Sequence, residues 1–251
     1  MNALSKKIHS NLSLLKVLLL VFLPTSILTL LYILAGYLNK TIPSLLMFCI
    51  LAMCILMPIQ LWIILRASKK EYGKYGLKSA FTNHQKLRWW IILLYGSLLF
   101  AFAGIMSAII APLENTLFSP ISSQLTRVIP TYFHWSNIEY LKQYSNSIVL
   151  ITCIVYFIFN GFIGPVIEEM FFRGYLTSKI SRYGKYAPII ITVLFSLYHF
   201  WLPFNNIFRI VVFLPAAYLA WKKKNIYISI VFHSLSNIFS VISFIVAVYA
   251  A

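Results

Sequence analysis

The chain is a succession of long apolar runs separated by short polar segments, most of which are basic. Runs of this length predict membrane-spanning helices, because about 20 apolar residues are needed to cross a bilayer as a helix. The pattern therefore predicts an all-α fold: a polytopic transmembrane helical bundle of about seven spans, within a range of six to eight, around a polar intramembrane cavity. The predicted spans cover residues 17–38, 45–65, 91–111, 148–180, 189–201, 207–221 and 226–248.

The fourth predicted span, 148–180, is longer than a bilayer requires. Its length corresponds to about 50 Å of helix, against a hydrocarbon core of about 30 Å. Gly161, Gly164 and Pro165 interrupt its apolar sequence, so we expect a kink with a steep tilt or a re-entrant half there. Such a break could also open a water path to Glu168. The stretch 112–144 is more polar and is predicted to be a loop on the outer side of the membrane.

Composition agrees with this interpretation. Hydrophobic residues make up 61% of the chain and charged residues only 10%, which excludes both a water-soluble globular domain and a disordered chain. The cysteines, Cys49, Cys54 and Cys153, lie in apolar runs without metal-ligand spacing and are interpreted as small buried apolar residues. The sequence therefore predicts an integral membrane protein.

The net charge of +16 reflects membrane topology rather than nucleic-acid binding. Its basic residues lie between the apolar runs, as in segment 66–88, and basic loops favour the cytoplasmic side. The N-terminus, with Lys6 and Lys7, is accordingly predicted to be cytoplasmic. The predicted partners are membrane lipid and a membrane-associated substrate, with no nucleic acid. We divide the chain into N-terminal helices, 1–144, with about three spans, and a core, 145–251, with about four.

The sequence contains no aspartate and five glutamates, two of which, Glu168 and Glu169, are adjacent within apolar sequence. A carboxylate at membrane depth costs at least about 2.5 to 3.5 kcal/mol, so such residues usually face a wet cavity. The alternative is a solvated helix start at the cytoplasmic interface. Arg173 follows Glu169 by four residues and can pair with it, whereas Glu168 points about 100° away and is left free to accept a proton.

Two histidines, His199 and His233, also lie in apolar runs. An isolated histidine there is more often a packing residue, but His233 belongs to a polar stripe on one helix face. That stripe has helical spacing and comprises Ser229, His233, Ser236, Asn237 and Ser240. Measured from the basic clusters, Glu168, His199 and His233 lie at about 17, 21 and 14 Å, which predicts one layer in the cytoplasmic half of the membrane. His9, His84 and His134 are predicted to be solvated in loops.

Three short motifs carry a family resemblance. They are EExxxR at 168–173, FxxxH at 195–199 and HxxxN at 233–237, in this order on successive predicted helices. Together they resemble the CPBP family of intramembrane proteases, also called the Abi or CAAX-protease-like family. The resemblance covers roughly the last 100 residues. It implies peptide-bond hydrolysis within the membrane.

The resemblance also implies residue roles. Glu168 with His199 would activate a water, and His233 with Asn237 would stabilise the oxyanion. Glu169 and Arg173 would shape the site and balance its charge. The cofactor remains open between none and zinc, since Glu168, His199 and His233 could supply three ligands, although no HExxH motif is present. We slightly favour a metal-free glutamate mechanism.

Relatives of this kind act in peptide processing and bacteriocin immunity, and the compact size favours a bacterial cell membrane. The predicted function is an intramembrane endopeptidase for a membrane-associated or hydrophobic peptide or protein. Two alternatives use the same features. One is a non-catalytic immunity or scaffolding protein of the same fold, and the other is a small transporter or proton relay, which also uses intramembrane glutamate and histidine.

Overall fold

The computed structural model describes residues 11–38, 40–82, 84–135, 137–202 and 204–250, and these contain helices and no strand. The all-α prediction is confirmed. Lys6, Lys7 and His9 lie outside the described residues. The main helices are α1 (Leu14–Leu38), α2 (Ser44–Tyr72), α3 (Trp89–Val128), α4 (Asn146–Lys179), α5 (Ala187–Leu197), α6 (Asn206–Lys223) and α7 (Tyr227–Ala250).

Five of these helices, α1, α2, α3, α4 and α7, are long and apolar enough to cross a membrane. Helix α5 has 11 residues, or about 16 Å, and is too short to cross alone. Helix α6 has 18 residues but carries Arg209, Lys222 and Lys223. The protein is thus a polytopic helical bundle of an integral membrane protein, while the crossings predicted at 189–201 and 207–221 remain predictions.

The two ends of the bundle differ in composition. Segments 73–88, 180–186 and 222–225 lie together at one end, which we call the basic end, where the Gln85 N–H donates to the Lys224 carbonyl at 2.9 Å. The connections α1–α2, α3–α4 and α5–α6 lie at the opposite end. There the Tyr132 hydroxyl donates to the Ile42 carbonyl at 3.2 Å. One apolar core runs between the two ends and takes residues from every main helix.

Helix α3 is longer than predicted. It continues past residue 111, through Pro112 and Pro120, to Val128, so much of the expected outer loop is helical. Glu114 is buried at 3% exposure and accepts hydrogen bonds from the N–H groups of Ile207 and Phe208, at 3.0 and 2.8 Å. A carboxylate at a helix start satisfies otherwise unpaired N–H groups. Glu114 of this stretch therefore packs against the start of α6.

Helix α4 is continuous where a break was expected at Gly161, Gly164 and Pro165. Two π-helical segments, Phe159–Ile163 and Met170–Leu176, lie within it. The Gly164 N–H donates to the Phe159 carbonyl, five residues earlier, and Pro165 has no N–H to donate. A π segment thus accommodates the proline that would otherwise interrupt the helix. Helix α2 has the same arrangement, with a π segment, Ala52–Leu56, just before Pro58.

Candidate active site

A cavity of about 200 Å³ lies between α2, α4, α6 and α7 and brings four of the predicted site residues together. Those four are Glu168, His199, His233 and Asn237. Glu168 and Glu169 are 8% and 0% exposed, so neither is part of a solvated helix start. A second cavity of about 330 Å³ lies at the basic end and is lined by Arg173 but by none of those four residues.

Glu169 is the carboxylate that carries the ionic contacts, all of them through Oε1, while its buried Oε2 has no hydrogen-bond partner among the described residues. Its Oε1 lies 3.1 Å from Nη1 of Arg173, one helical turn along α4, and 2.9 Å from Nδ1 of His233 on α7. The guanidinium of Arg173 also lies 4.0 Å from the centre of the Phe195 ring. The cation and the aromatic face are attracted to each other at this distance. Glu169 therefore holds His233 in place and is itself held by Arg173.

Glu168 points toward the cavity. The hydroxyl of Tyr198 donates a hydrogen bond to its Oε1, and its Oε2 lies 3.7 Å from Nε2 of His233. That gap is longer than a direct hydrogen bond. One oxygen of Glu168 is thus fixed, while the other retains acceptor capacity beside His233. The two adjacent carboxylates consequently have different surroundings, as their helical spacing predicted.

Tyr198 was not predicted from the sequence. It is fully buried, and its own carbonyl accepts a hydrogen bond from the Thr25 hydroxyl of α1 at 2.7 Å. A tyrosine hydroxyl inside a membrane protein usually finds a polar partner. The sequence feature that could have pointed to Tyr198 is its position directly before His199. Tyr198 ties the cavity to α1, which the sequence motifs do not include.

His199 lies just beyond the end of α5. Its Nδ1 lies 2.8 Å from the Phe195 carbonyl, which only accepts, so the network assigns the proton to Nδ1 and leaves Nε2 as an acceptor. The ring packs against Tyr198 and Trp201. His199 lines the same cavity as Glu168, although the two side chains share no direct hydrogen bond among the described residues.

The NH₂ group of Asn237 is directed at a neighbouring asparagine. Its Nδ2 donates to the main-chain carbonyl of Asn160 at 2.9 Å and lies 3.4 Å from the Asn160 side-chain oxygen. Asn160, on the π segment of α4, lines the cavity as well. Sequence reasoning missed Asn160, although a single asparagine within an apolar run was a usable signal.

Arg209, also missed, adds a cation to the cavity wall. Its Nη1 donates to the Ser196 carbonyl at 3.1 Å and to the Asn206 side-chain oxygen at 3.2 Å. These bonds hold the α5–α6 connection against the start of α6. A lone arginine inside the predicted span 207–221 was the signal for it. Phe48 and Trp135 form part of the wall toward the opposite end.

The donor set does not fit a zinc site. Among the residues that the structure describes, no group of three His, Cys, Asp or Glu side chains could hold a metal ion. Nδ1 of His233 is occupied by Glu169, and Nδ1 of His199 faces a carbonyl. Glu168, His199 and His233 line one cavity but do not converge as ligands. We therefore assign no step to a metal.

Two loop histidines differ from their predicted solvated state. The His84 ring packs against Phe81 and Tyr227, and partial burial lowers its pKa below the usual value. Nε2 of His134 is buried and has no hydrogen-bond partner among the described residues. Both histidines lie in connections that fold back onto the bundle, so position between helices does not ensure exposure. Neither belongs to the cavity that contains Glu168.

Comparison with known proteins identifies the segment that forms this site. Residues 149–239 match the family model described as Type II CAAX prenyl endopeptidase Rce1-like. The match begins in α4, ends in α7 and includes all three motifs, so the resemblance to the CAAX-protease-like family is confirmed for this part of the chain. Neither the curated proteins nor the solved structures compared with the chain match it.

Proposed function

From the family match of residues 149–239, we propose that the protein is an intramembrane endopeptidase that hydrolyses a peptide bond of a membrane-associated or hydrophobic substrate by a glutamate-dependent mechanism. A protease of the CAAX type is the function that the family match supports. The residue roles, the mechanism and the substrate class are our proposal. We also propose a bacterial cell membrane as the location, with the N-terminus on the cytoplasmic side.

One observation carries the proposal: the two adjacent glutamates are paired differently. Glu169 binds both Arg173 and His233, whereas Glu168 faces the cavity with one oxygen held by Tyr198. A general base must be oriented and must still reach a water. Of the two carboxylates, Glu168 meets both conditions. The pairing of Glu169 keeps the second negative charge compensated.

Water activation would occur between Glu168 and His199. Both line the cavity, and Nε2 of His199, the ring nitrogen that carries no proton, can accept a hydrogen bond from a water that Glu168 deprotonates. Two acceptors on one water orient its lone pair toward a substrate carbonyl carbon. The proton then resides on Glu168, from which it can pass to the leaving amine. This order of events needs no further base.

His233 and Asn237 would form the oxyanion side, Asn237 as part of the amide pair that it makes with Asn160. Nδ1 of His233 donates to Glu169, so Nε2 can donate to a developing oxyanion only when the ring is an imidazolium. The Nδ1–H keeps its contact with Glu169 in that form. With Glu168 ionised, the two glutamates, Arg173 and a protonated His233 sum to zero charge, which reduces the cost of burying them. Oriented donors of this kind stabilise a tetrahedral intermediate.

The test is cleavage by the purified protein in lipid nanodiscs, read by mass spectrometry of the new peptide termini in a membrane-peptide library. We expect Glu168→Gln to reduce cleavage by about 10² to 10⁴-fold, the contribution of a general base. Phe162→Leu, on an exposed surface of the same helix, is the matched control and should cleave normally. A Glu168→Gln protein that still cleaves contradicts the proposal. So does a wild-type protein that cleaves no peptide but retains its cellular phenotype, and this second result supports an immunity or scaffolding role.

A further inference from the structure

We propose that Asn160 is a further catalytic residue, whose side-chain Nδ2 donates a hydrogen bond to the substrate carbonyl as it becomes the oxyanion, and that Asn237 is the residue that positions it. The inference rests on the proposed peptidase function. It reassigns the amide contact from Asn237, whose Nδ2 is directed at Asn160, to an asparagine outside the three sequence motifs.

The π segment of α4 creates the anchor for this pair. In a regular α-helix the Asn160 carbonyl would accept the N–H of Gly164, and in a π-helix it would accept the N–H of residue 165. The Gly164 N–H is used by Phe159, and Pro165 has none. The Asn160 carbonyl is therefore left without its helical donor. The amide of Asn237 takes that place at 2.9 Å.

This anchor fixes the orientation of both amides. A main-chain carbonyl only accepts, so the group of Asn237 that faces it must be the NH₂ and cannot be the oxygen. The same NH₂ lies 3.4 Å from Oδ1 of Asn160, and turning the Asn160 amide over would place two donors against each other. Oδ1 of Asn160 therefore faces Asn237. Its Nδ2 must point elsewhere.

The amide of Asn160 is available to a ligand. Among the described residues, its Nδ2 has no hydrogen-bond partner. This nitrogen is not fully buried, so a ligand can reach it. Asn160 is half-buried and lines the cavity that also contains Glu168 and His233. A donor without a partner on the wall of this cavity can bind a substrate acceptor.

The π segment also brings Asn160 to the catalytic face of α4. Eight residues along a regular α-helix would separate Asn160 from Glu168 by about 80° of rotation. The extra residue of one π turn reduces this difference to about 20°. The two side chains lie about 10 Å apart along the helix axis. The reacting groups need a similar length. It is the sum of the distances from Glu168 to the water, from the water to the carbonyl it attacks, and from the carbonyl oxygen to its donor.

The experiment is a double-mutant cycle on peptide cleavage in nanodiscs with Asn160→Leu, Asn237→Ala and the double variant. Leucine has nearly the volume of asparagine and lacks the donor. We expect Asn160→Leu to lower kcat about 10² to 10³-fold with little change in KM, as for the loss of one oxyanion donor. Because Asn237 acts through Asn160, the double variant should be no slower than Asn160→Leu alone.

A kcat within about threefold of wild type for Asn160→Leu would overturn the inference, and so would additive effects in the double variant. Thermal unfolding and the detergent-solubilised yield establish that each variant is folded. Asn160→Asp provides a second variant of the same size that removes the donor and keeps the acceptor for Asn237. Loss of cleavage in Glu168→Gln together with normal cleavage in both Asn160 variants contradicts only this inference, whereas normal cleavage in Glu168→Gln contradicts the peptidase mechanism itself.

Discussion

Two buried glutamate clusters occupy different parts of the bundle and use the same chemistry differently. At the basic end, Glu71 binds the ammonium of Lys179 through Oε1 and accepts a hydrogen bond from the Ser79 hydroxyl through Oε2, at 3.2 Å. Both of its oxygens are thus occupied by protein groups. In the cavity, Glu168 has one oxygen fixed by Tyr198 and the other beside His233, 3.7 Å away.

The comparison shows the effect of placing two glutamates, Glu168 and Glu169, side by side. A single glutamate beside a single cation, as at Glu71, forms a closed pair that fastens the end of α2 to the end of α4. In the cavity, Glu169 takes the cation, and the neighbouring Glu168 is left beside the charge-balanced pair with an acceptor available. A buried ion pair therefore closes off its own glutamate at one end of α4, whereas in the middle of α4 it lies beside a second glutamate, Glu168, which we propose as the general base.

Arg173→Met should have the largest effect, since it leaves Glu169 buried without its cation. Removing one partner of a buried pair costs about 3 to 5 kcal/mol of unfolding free energy. His233 is held by the same carboxylate, so cleavage should be lost as well. Thermal unfolding in nanodiscs and the peptide assay measure the two effects. A variant with wild-type stability would show that Glu169 is compensated by another group.

Lys179→Met should destabilise the protein less, by about 1 to 3 kcal/mol, because Glu71 lies at the basic end of the bundle and retains the Ser79 hydroxyl. Cleavage per folded molecule should remain within about twofold of wild type, because Lys179 does not line the cavity. The double variant with Glu71→Gln should regain part of the stability, since no unpaired charge remains. A lower kcat in correctly folded Lys179→Met protein would show that the Glu71 cluster also affects catalysis, contrary to the comparison.

Much of the arrangement around α4 follows from sequence spacing alone. The four-residue interval between Glu169 and Arg173 predicts their ion pair, which the structure contains, and the depth of each polar residue predicts that Glu168, His199 and His233 share a layer. The ion pair could be predicted because it depends only on helix geometry. Glu168, His199 and His233 do line one cavity, while their depth in the membrane stays a prediction.

The remaining features depend on contacts between distant segments. The continuation of α3 past Pro112 is stabilised by Glu114 at the start of α6, which no local pattern indicates. Tyr198 acquires a role only when α5 places its hydroxyl on Glu168. Asn160 reaches the cavity through a π segment, which single-sequence propensities do not predict. Tertiary packing decides each of these, so the sequence could not.

Tyr198→Phe is the smallest change that sharpens the comparison, because it removes one hydroxyl and leaves the ring that packs against Phe172 and His199. Glu168 would lose the donor that orients it, and we expect kcat to fall about tenfold, or about 1.4 kcal/mol, with KM nearly unchanged. Ser79→Ala, which removes the corresponding hydroxyl donor from Glu71, is the matched control and should leave kcat unaffected. Equal kcat for Tyr198→Phe and wild type would mean that His233 alone orients Glu168. The difference between Glu168, with one oxygen bound, and Glu71, with both oxygens bound, would then have no effect on catalysis through Tyr198.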